Sequence, residues 1–491
     1  MTLSTLLENM DYKCLQGTTD TNIHDIVYDS RKAGPGDLFV CISGTRTDAH
    51  SFLPEVIQKG VKAVAVERDV EVPKDVTVIR VARAREALSL LSAAFFGHPA
   101  ARMTTIGVTG TKGKTTTSFM IKAILEACGK KVGLIGTIGA LIGGEYYETN
   151  NTTPESYELQ KYFRMMADGG CEYLVMEVSS QGIMMDRVAG MQFDYGIFTN
   201  ITPDHIGENE HKDFADYLSW KRKLLQICRH GYVNRDDSHY EEIIEGHSCD
   251  LHTFGVERAA QLKAERIHYL AEGSFMGIEF ETAGSADMDV KVNIPGLFNV
   301  YNALAAISVC LNFSLPPETI CHALEHLSIN GRMELVYASD EFSVIVDYAH
   351  NAVSMESLLT TLKEYHPKRL VCLFGCGGNR SRLRRYDMGE IGGRMADLSI
   401  ITADNSRYER VEDILNDIKT GLAKTDGSYL EIPDRREAIR YAISHAQKGD
   451  MIVIIGKGHE DYQEIQGVRH HFSDQEEVRK ALEECADDKD N

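Results

Sequence analysis

The stretch GVTGTKGKTTT at 107–117 sets three glycines and Lys114 among small hydroxyl residues, directly after the apolar run MTTIGV. Those residue types in that order could do phosphate chemistry. An apolar strand that enters a helix through a glycine-rich turn points backbone N–H groups and a helix N-terminus at one spot. A lysine there neutralises β- and γ-phosphate charge, and Thr115 or Thr116 could hold Mg2+. The spacing departs from the usual G-x-x-x-x-G-K-S/T, because the position five before Gly113 is Val108. The alternative is a plain strand–turn–helix corner. The helical spacing of TSFMIKAILEACG, closed by a glycine, suits either.

Six further apolar runs end in glycine, hydroxyl or charged residues: EVSS, TNITPDH, DYAH, GCGGNR, ADNSR and GKGHE. Ligands of open α/β sheets collect at the carboxyl ends of strands, where such residues are hard to explain as core. One such end is ordinary loop chemistry. Seven in two consecutive blocks predict a site that draws on both.

The elements that must position these residues fall into three blocks. Residues 1–98 hold short strands such as DIVYDSRKAGPGDLFVCISG and VKAVAVERDV, closed by the helix AREALSLLSAAFFG. From 99 to 330, TTIGVTG, KVGLIGTIG, EYLVMEVSS and FDYGIFTNI alternate with helices, and from 331 to 491 FSVIVDYAH, RLVCLFGCGG, DLSIITADN and DMIVIIGKGH do the same. Short β-branched runs with intervening helices predict parallel sheets buried on both faces. The fold class is therefore α/β in three domains.

Composition narrows the function classes. The formal charge of -21 has no basic stripe to offset it, so nucleic acid is not an expected partner. The N-terminal MTLSTLLENMDYK is amphipathic and acidic, unlike a secretory leader, and no apolar run reaches membrane-spanning length. Eleven scattered cysteines, with Cys372 and Cys376 outside zinc-finger spacing, predict reduced thiols and a cytoplasmic protein.

Nine segments, TGTKGKTTT, NTTPES, MEVSSQG, TNITPDH, LFNVYNALAA, GRME, DYAHN, GCGGNR and GKGHEDYQ, follow one another in the order found in Mur ligases. The whole chain resembles that family, and within it the members that add the third residue of the peptidoglycan stem peptide. The resemblance implies a small N-terminal UDP-sugar domain, a central ATPase domain whose short loop form is T-G-T-x-G-K-T, and a C-terminal Rossmann-like domain. It implies an ATP-dependent ligase, expected as a monomer without membrane insertion. ATP would phosphorylate the D-Glu γ-carboxylate of UDP-MurNAc-L-Ala-D-Glu, and a diamino acid would attack the acyl phosphate. The protein's task would be positioning and charge neutralisation.

Residue by residue, the resemblance assigns the phosphates to Gly110, Thr111, Lys112, Gly113, Lys114, Thr115 and Thr116. It assigns Mg2+ to Thr115, Glu177 and His205. Lys221 in YLSWKRKLL matches a lysine that becomes carbamylated and then binds metal; periodicity alone allows a solvated helix face with Arg222 and Lys223. Ser30 matches a uridine contact, and Asn151, Thr152, Thr153, Ser179 and Arg187 match contacts of the muramoyl peptide. Met185 stands where a glutamine is frequent. Asn302, Arg332, Asp347 and His350 fall in segments that enclose the nucleotide, though Arg332 and Asp347 could instead be a structural salt bridge.

The incoming amino acid is meso-diaminopimelate or L-lysine. Diaminopimelate ends in carboxylate plus ammonium, lysine in ammonium alone. By resemblance, Arg407 after Asp404, Asn405 and Ser406 would hold the distal carboxylate, and Gly456 and Glu460 the ammonium, with Arg380 on the amino acid. Ser406 replaces a usual proline, and Arg407 could also be a plain loop arginine. EVSSQG and NITPDHIG look more like lysine-adding members, but they would bind metal and nucleotide sugar. The expectation is therefore diaminopimelate. A folylpolyglutamate synthetase-like or cyanophycin synthetase-like ligase shares the loop but is not expected to carry DSRKAGPGDLF. A regulatory GTPase should carry N-K-x-D, which is absent.

Overall fold

A computed structural model describes residues 1–44, 47–207, 210–272 and 275–487. The chain divides into two compact units, Met1–Gln261 with Ala305–Leu315, and Leu262–Leu304 with Pro316–Asn491. No helix among the described residues is long and apolar enough to cross a membrane. All eleven cysteines are free thiols.

The first unit holds two sheets. The N-terminal one orders its strands Lys13–Gln16, Thr77–Arg80, Ala63–Val66, Leu38–Val40, Ile26–Val27, all parallel except the first pair. Its faces follow the period of two: Leu38, Val40, Ala63 and Ala65 pack with the helix Ala84–Phe95, while Phe39, Val64 and Val66 pack with Leu53 and Val56. The second sheet runs Asp250–Gly255, Cys228–Asn234, Phe193–Phe198, Thr104–Thr109, Tyr173–Glu177, Val132–Gly136, parallel throughout. Gly139–Ile142 and Glu145–Tyr147 add antiparallel strands at its edge.

That strand order places the glycine-rich turn. Thr104–Thr109 is central and buried, with Tyr173–Glu177 on one side and Phe193–Phe198 on the other. Glu177 pairs with Val108 and Phe198 with Thr109, so the three carboxyl ends emerge side by side.

In the second unit the C-terminal sheet orders Glu334–Ala338, Phe342–Asp347, Asp450–Ile455, Arg369–Phe374, Leu398–Ile401, Tyr429–Glu431. Only the first pair is antiparallel. Val344, Val346, Val371, Leu373, Ile400, Ile452 and Ile454 fill one face against the helices Arg435–Ser444 and Asp474–Asp487. The strand ends deliver Asp347, Gly375–Gly378, Thr402–Arg407 and Gly456–Glu460 to one edge of this sheet, with the hairpin Tyr462–Ile465 and Val468–His471 following. Separately, Leu262–Glu272, Phe275–Gly284 and Met288–Val292 form antiparallel strands.

Candidate functional site: a phosphate cradle and an amino-acid pocket

The cradle starts at Gly110, where φ is +141° and a Cβ would lie 2.0 Å from Thr199 Oγ1. Only glycine fits that approach. Gly113, at φ +85°, opens the helix Lys114–Ala127, so the helix N-terminus faces the turn. The turn is tied to the neighbouring strand end. Thr111 N–H donates to Asn200 O at 2.9 Å, Lys112 N–H to Asn200 Oδ1 at 2.9 Å, and Asn200 Nδ2 and Thr199 Oγ1 both donate to Lys112 O. Lys114 Nζ donates to the carbonyls of Gly110 and Thr111 at 2.9 and 3.1 Å. Thr116, next on this helix, is half-buried.

Glu177 is buried at the adjoining strand end and gathers hydroxyls. Its Oε1 accepts from Thr115 Oγ1 at 2.8 Å and from Thr137 N–H at 3.0 Å, and its Oε2 accepts from Thr137 Oγ1 at 3.0 Å. A Cβ at Gly136 would lie 2.2 Å from Oε1, so any side chain there would displace the Glu177 carboxylate. Thr137 Oγ1 continues to Thr152 Oγ1 at 3.1 Å. Thr153 donates to the Glu177 carbonyl and meets Ser179 Oγ at 3.1 Å, and Ser179 caps the helix Ser180–Met184. The sequence segments ending at 115, 153, 177 and 179 thus share one cluster.

Lys221 ends the helix Phe214–Arg222 and is buried, which rules out the solvated-face alternative. Its Nζ donates to Gly110 O at 2.8 Å and lies 4.8 Å from the Tyr217 ring, one helical turn back. Burial, and then the Lys114 charge, push this ammonium well below the ordinary lysine range, with Asp204 opposing. Tyr217 in turn bonds Thr111 Oγ1 at 3.1 Å. His205 is half exposed, at φ +53°, with Nδ1 3.2 Å from Glu210. The nearby His211 is fully buried between Asp216 at 3.1 Å and Ser180 at 2.9 Å.

Ser30 lies in the single turn Ser30–Lys32, capped by Asp29, whose carboxyl the Arg31 hydrogen bond holds at about 2. Lys59 Nζ donates to Ser30 O at 2.7 Å. Asn151 is exposed. Arg187 is engaged within the protein, its Nε and Nη2 on Glu155 Oε1 at 3.0 and 2.7 Å and its Nη1 on Thr153 O at 2.9 Å.

The second unit gathers a different set. Asn405 is buried and central: Nδ2 donates to Glu460 Oε2 at 2.8 Å, while Oδ1 accepts from Lys457 Nζ at 3.2 Å and Glu464 N–H at 2.9 Å. Lys457 also reaches Glu460 Oε2 at 3.2 Å. Arg407, at φ +50°, donates through Nε to Glu464 Oε2 at 3.2 Å and through Nη1 to Gly378 O at 2.7 Å. It is therefore not a loose loop arginine. Asp404 and Ser406 are buried, and a Cβ at Gly456 would lie 2.7 Å from Asp404 Oδ2. Arg380 is exposed at the end of the Gly375–Gly378 turn.

Asp347 accepts from Met333 N–H at 2.8 Å and Ala349 N–H at 2.7 Å; burial raises its carboxyl and Arg332 opposes that. The Arg332 guanidinium lies 5.0 Å from the Tyr348 ring, with Nε buried and unbonded among the described residues. His350 is exposed, and Asn302 is buried with Nδ2 on Asn299 Oδ1 at 2.9 Å.

The sequence segments contained Thr137, Asn200, Glu155 and Lys457 but assigned them nothing, and Glu464 lay one residue past GKGHEDYQ. Thr137, Asn200 and Lys457 lie just past strand ends, the position that flags the others. Tyr217 carried a usable signal as well, four residues before Lys221 on the same helix face.

Known proteins resemble this chain along its length. Residues 22–96 match the Mur ligase family catalytic domain, 108–310 the Mur ligase middle domain, and 331–458 the Mur ligase glutamate ligase domain. A protein of Clostridium perfringens (strain 13 / Type A) named UDP-N-acetylmuramoyl-L-alanyl-D-glutamate–2,6-diaminopimelate ligase is 42% identical over 490 residues, 98% of this chain and 100% of that one. A protein of the same name from Clostridium botulinum (strain ATCC 19397 / Type A) is 41% identical over 491 residues, 99% and 100% of the two chains. A solved structure of a ligase of that name superposes with a TM-score of 0.73 at 27% identity, covering 99% of each chain. With full-length relatives at this identity and three matched segments along one α/β chain, the protein belongs to the Mur ligase family.

Proposed function

We propose that this chain joins meso-diaminopimelate to the D-Glu γ-carboxylate of UDP-MurNAc-L-Ala-D-Glu, as a cytoplasmic monomer with domains 1–98, 99–330 and 331–491. As a Mur ligase it is an ATP-dependent, ADP-forming enzyme. The observation that carries the choice of amino acid is the network on Asn405, which holds Arg407 through Glu464 and holds Glu460 through Lys457. A cation and a carboxylate in fixed relation suit a ligand end bearing both carboxylate and ammonium. Lysine brings no distal carboxylate to meet Arg407. The names of the full-length relatives support the same choice.

The residues fit Mg2+ beside the cradle. Thr115 Oγ1 and Glu177 Oε1 are 2.8 Å apart. Two oxygens bound at right angles to an ion at about 2.0–2.1 Å would be about 2.9 Å apart. Thr115, Glu177, His205 and Lys221 would hold the ion. When bound, Mg2+ would neutralise the phosphates and the charge that develops on transfer.

The remaining work falls to the chain's own groups. The 110–116 backbone and Lys114 orient ATP so that the substrate carboxylate takes the γ-phosphoryl group and ADP departs. The diaminopimelate amine then attacks the acyl carbon and phosphate leaves. Ser30, Asn151, Thr152, Thr153, Ser179 and Arg187 hold the UDP-sugar dipeptide. Asn302, Arg332, Asp347 and His350 enclose the nucleotide. Lys221 is read as a carbamate: its amine, neutral because buried, adds to CO2, the N–C bond forms, and one proton leaves to solvent. The resulting anion is favoured by the same Lys114 charge that disfavours a Lys221 ammonium. The deciding assay is ATP-dependent phosphate release with UDP-MurNAc-L-Ala-D-Glu, comparing diaminopimelate with lysine. Preferential turnover of lysine would overturn the assignment.

A further inference from the structure

A second polar cluster sits on the central sheet of the first unit, at the amino-terminal ends of its strands and so at the opposite edge from the phosphate cradle. The parallel register pairs His230 with Asp250 and Tyr232 with His252, so all four side chains share one face. His230 Nδ1 is 3.4 Å from Asp250 Oδ2, and His252 Nε2 is 3.2 Å from the same oxygen. All three ligand atoms lie within 4.8 Å of one another.

The two rings are held in place. His230 stacks on Tyr195 at 5.4 Å and 25°, and His252 on Tyr232 at 4.8 Å and 17°. Tyr232 is itself fixed by Asn312, which donates to its hydroxyl at 2.7 Å. Rigid strands carry the three residues, and the Asp250 side chain is 66% exposed, so an ion can enter from solvent. Donors bound at about 2.0–2.1 Å around a tetrahedral ion lie about 3.3–3.4 Å apart, close to the two printed separations.

We propose that His230, Asp250 and His252 form a site for a divalent transition ion of the zinc class, with solvent completing the shell. Two imidazoles favour such an ion over Mg2+, which takes oxygen. The ion would cross-link two neighbouring strands and stabilise the fold, and it takes no part in the ligase reaction.

The test is Co2+ titration of tag-free enzyme in excess Mg2+, read by visible absorption and by Tm. Wild type should gain a cobalt absorption band and a higher Tm, since an ion bound only by the folded state stabilises it. His252→Ala and Asp250→Asn should each weaken this binding by about tenfold or more, with ligase activity unchanged. His322→Ala is the comparison, because His322, Glu325 and His326 form another close triad at the end of the helix Pro317–Glu325 and its C-cap. It should leave the band in place. Should His252→Ala fail to fold, Asp250→Asn at the exposed ligand carries the test. Equal Co2+ binding by wild type and Asp250→Asn, or a band that disappears with His322→Ala, would overturn the proposal.

Discussion

In the first unit, Lys114 and Lys221 direct their ammonium groups at backbone carbonyls, of Gly110 and Thr111. In the second unit the cations meet carboxylates: Arg407 with Glu464, Lys457 with Glu460, Arg385 with Glu409 and Asp417, and Arg435 with Asp474. The two ligands proposed for these sets account for the contrast. A polyphosphate brings its own negative charge, so a cradle for it gains from a lysine such as Lys114 seated on backbone dipoles. A zwitterion brings no net charge, so its pocket is built from charges already balanced and fixed in geometry. At Lys221 the electrostatic cost is plain: burial and the Lys114 charge lower its ammonium well below the ordinary lysine range.

The contrast breaks most sharply at Lys114. Lys114→Ala should lower kcat by about 10²–10³-fold, as loss of a preorganised charge at a transition state does. Binding of the UDP-substrate should persist, measured by calorimetry without ATP. Near-normal phosphate release from the folded variant would show that the cradle does not act through this charge.

Lys221→Ala should lose activity on a similar scale, about 10²-fold. Added acetate or chloride should restore part of it, because each supplies an anion where the carbamate is gone. In wild type, 13C-labelled CO2 should give a carbamate resonance that Lys221→Ala lacks. A fully active variant would return Lys221 to a packing role beside Tyr217.

Arg407→Ala tests the balanced half. kcat/KM for diaminopimelate should fall by roughly 2–4 kcal/mol in transition-state binding, the scale for breaking a desolvated charge pair. Lysine use should change little. An equal fall for both amino acids would mean that Arg407 supports the fold and does not select.

The smallest effect concerns His459, whose burial, with the Arg332 charge adding to it, lowers the imidazole from 6.5 to about 4. Below the unfolded value the unfolded chain takes up a proton that the folded state refuses. Stability should therefore rise with pH between about 4 and 6.5, by at most about 1.4 kcal/mol per unit. Urea unfolding across that window should show a steeper rise in wild type than in His459→Gln.

The site was unevenly legible in the sequence. Gly110 and Gly113 were readable because a glycine-rich turn between an apolar run and a helical pattern is a local signal. Glu177, Asp347 and Gly456 were readable because polar residues ending apolar runs have few structural reasons to be there. Lys221 was ambiguous, since YLSWKRKLL carries three basic residues in a row and periodicity cannot say which of them faces inward. Burial of Lys221 against Gly110 O, more than a hundred residues away in the chain, decides it. Lys457 was hidden by its type, because lysine is ordinarily a surface residue.

By itself, then, the sequence determined the alternation of strands and helices, the glycine turn and the polar strand ends, all of which are local consequences of residue type and spacing. Tertiary structure decided which ends become neighbours. Strand order puts Thr137 and Asn200 on either side of the Thr104–Thr109 turn, and register sets His230 against Asp250. It also decided which cations meet carboxylates and which meet carbonyls. Those partners are far apart in sequence, and charge pairing depends on distance and burial, which only the folded chain supplies.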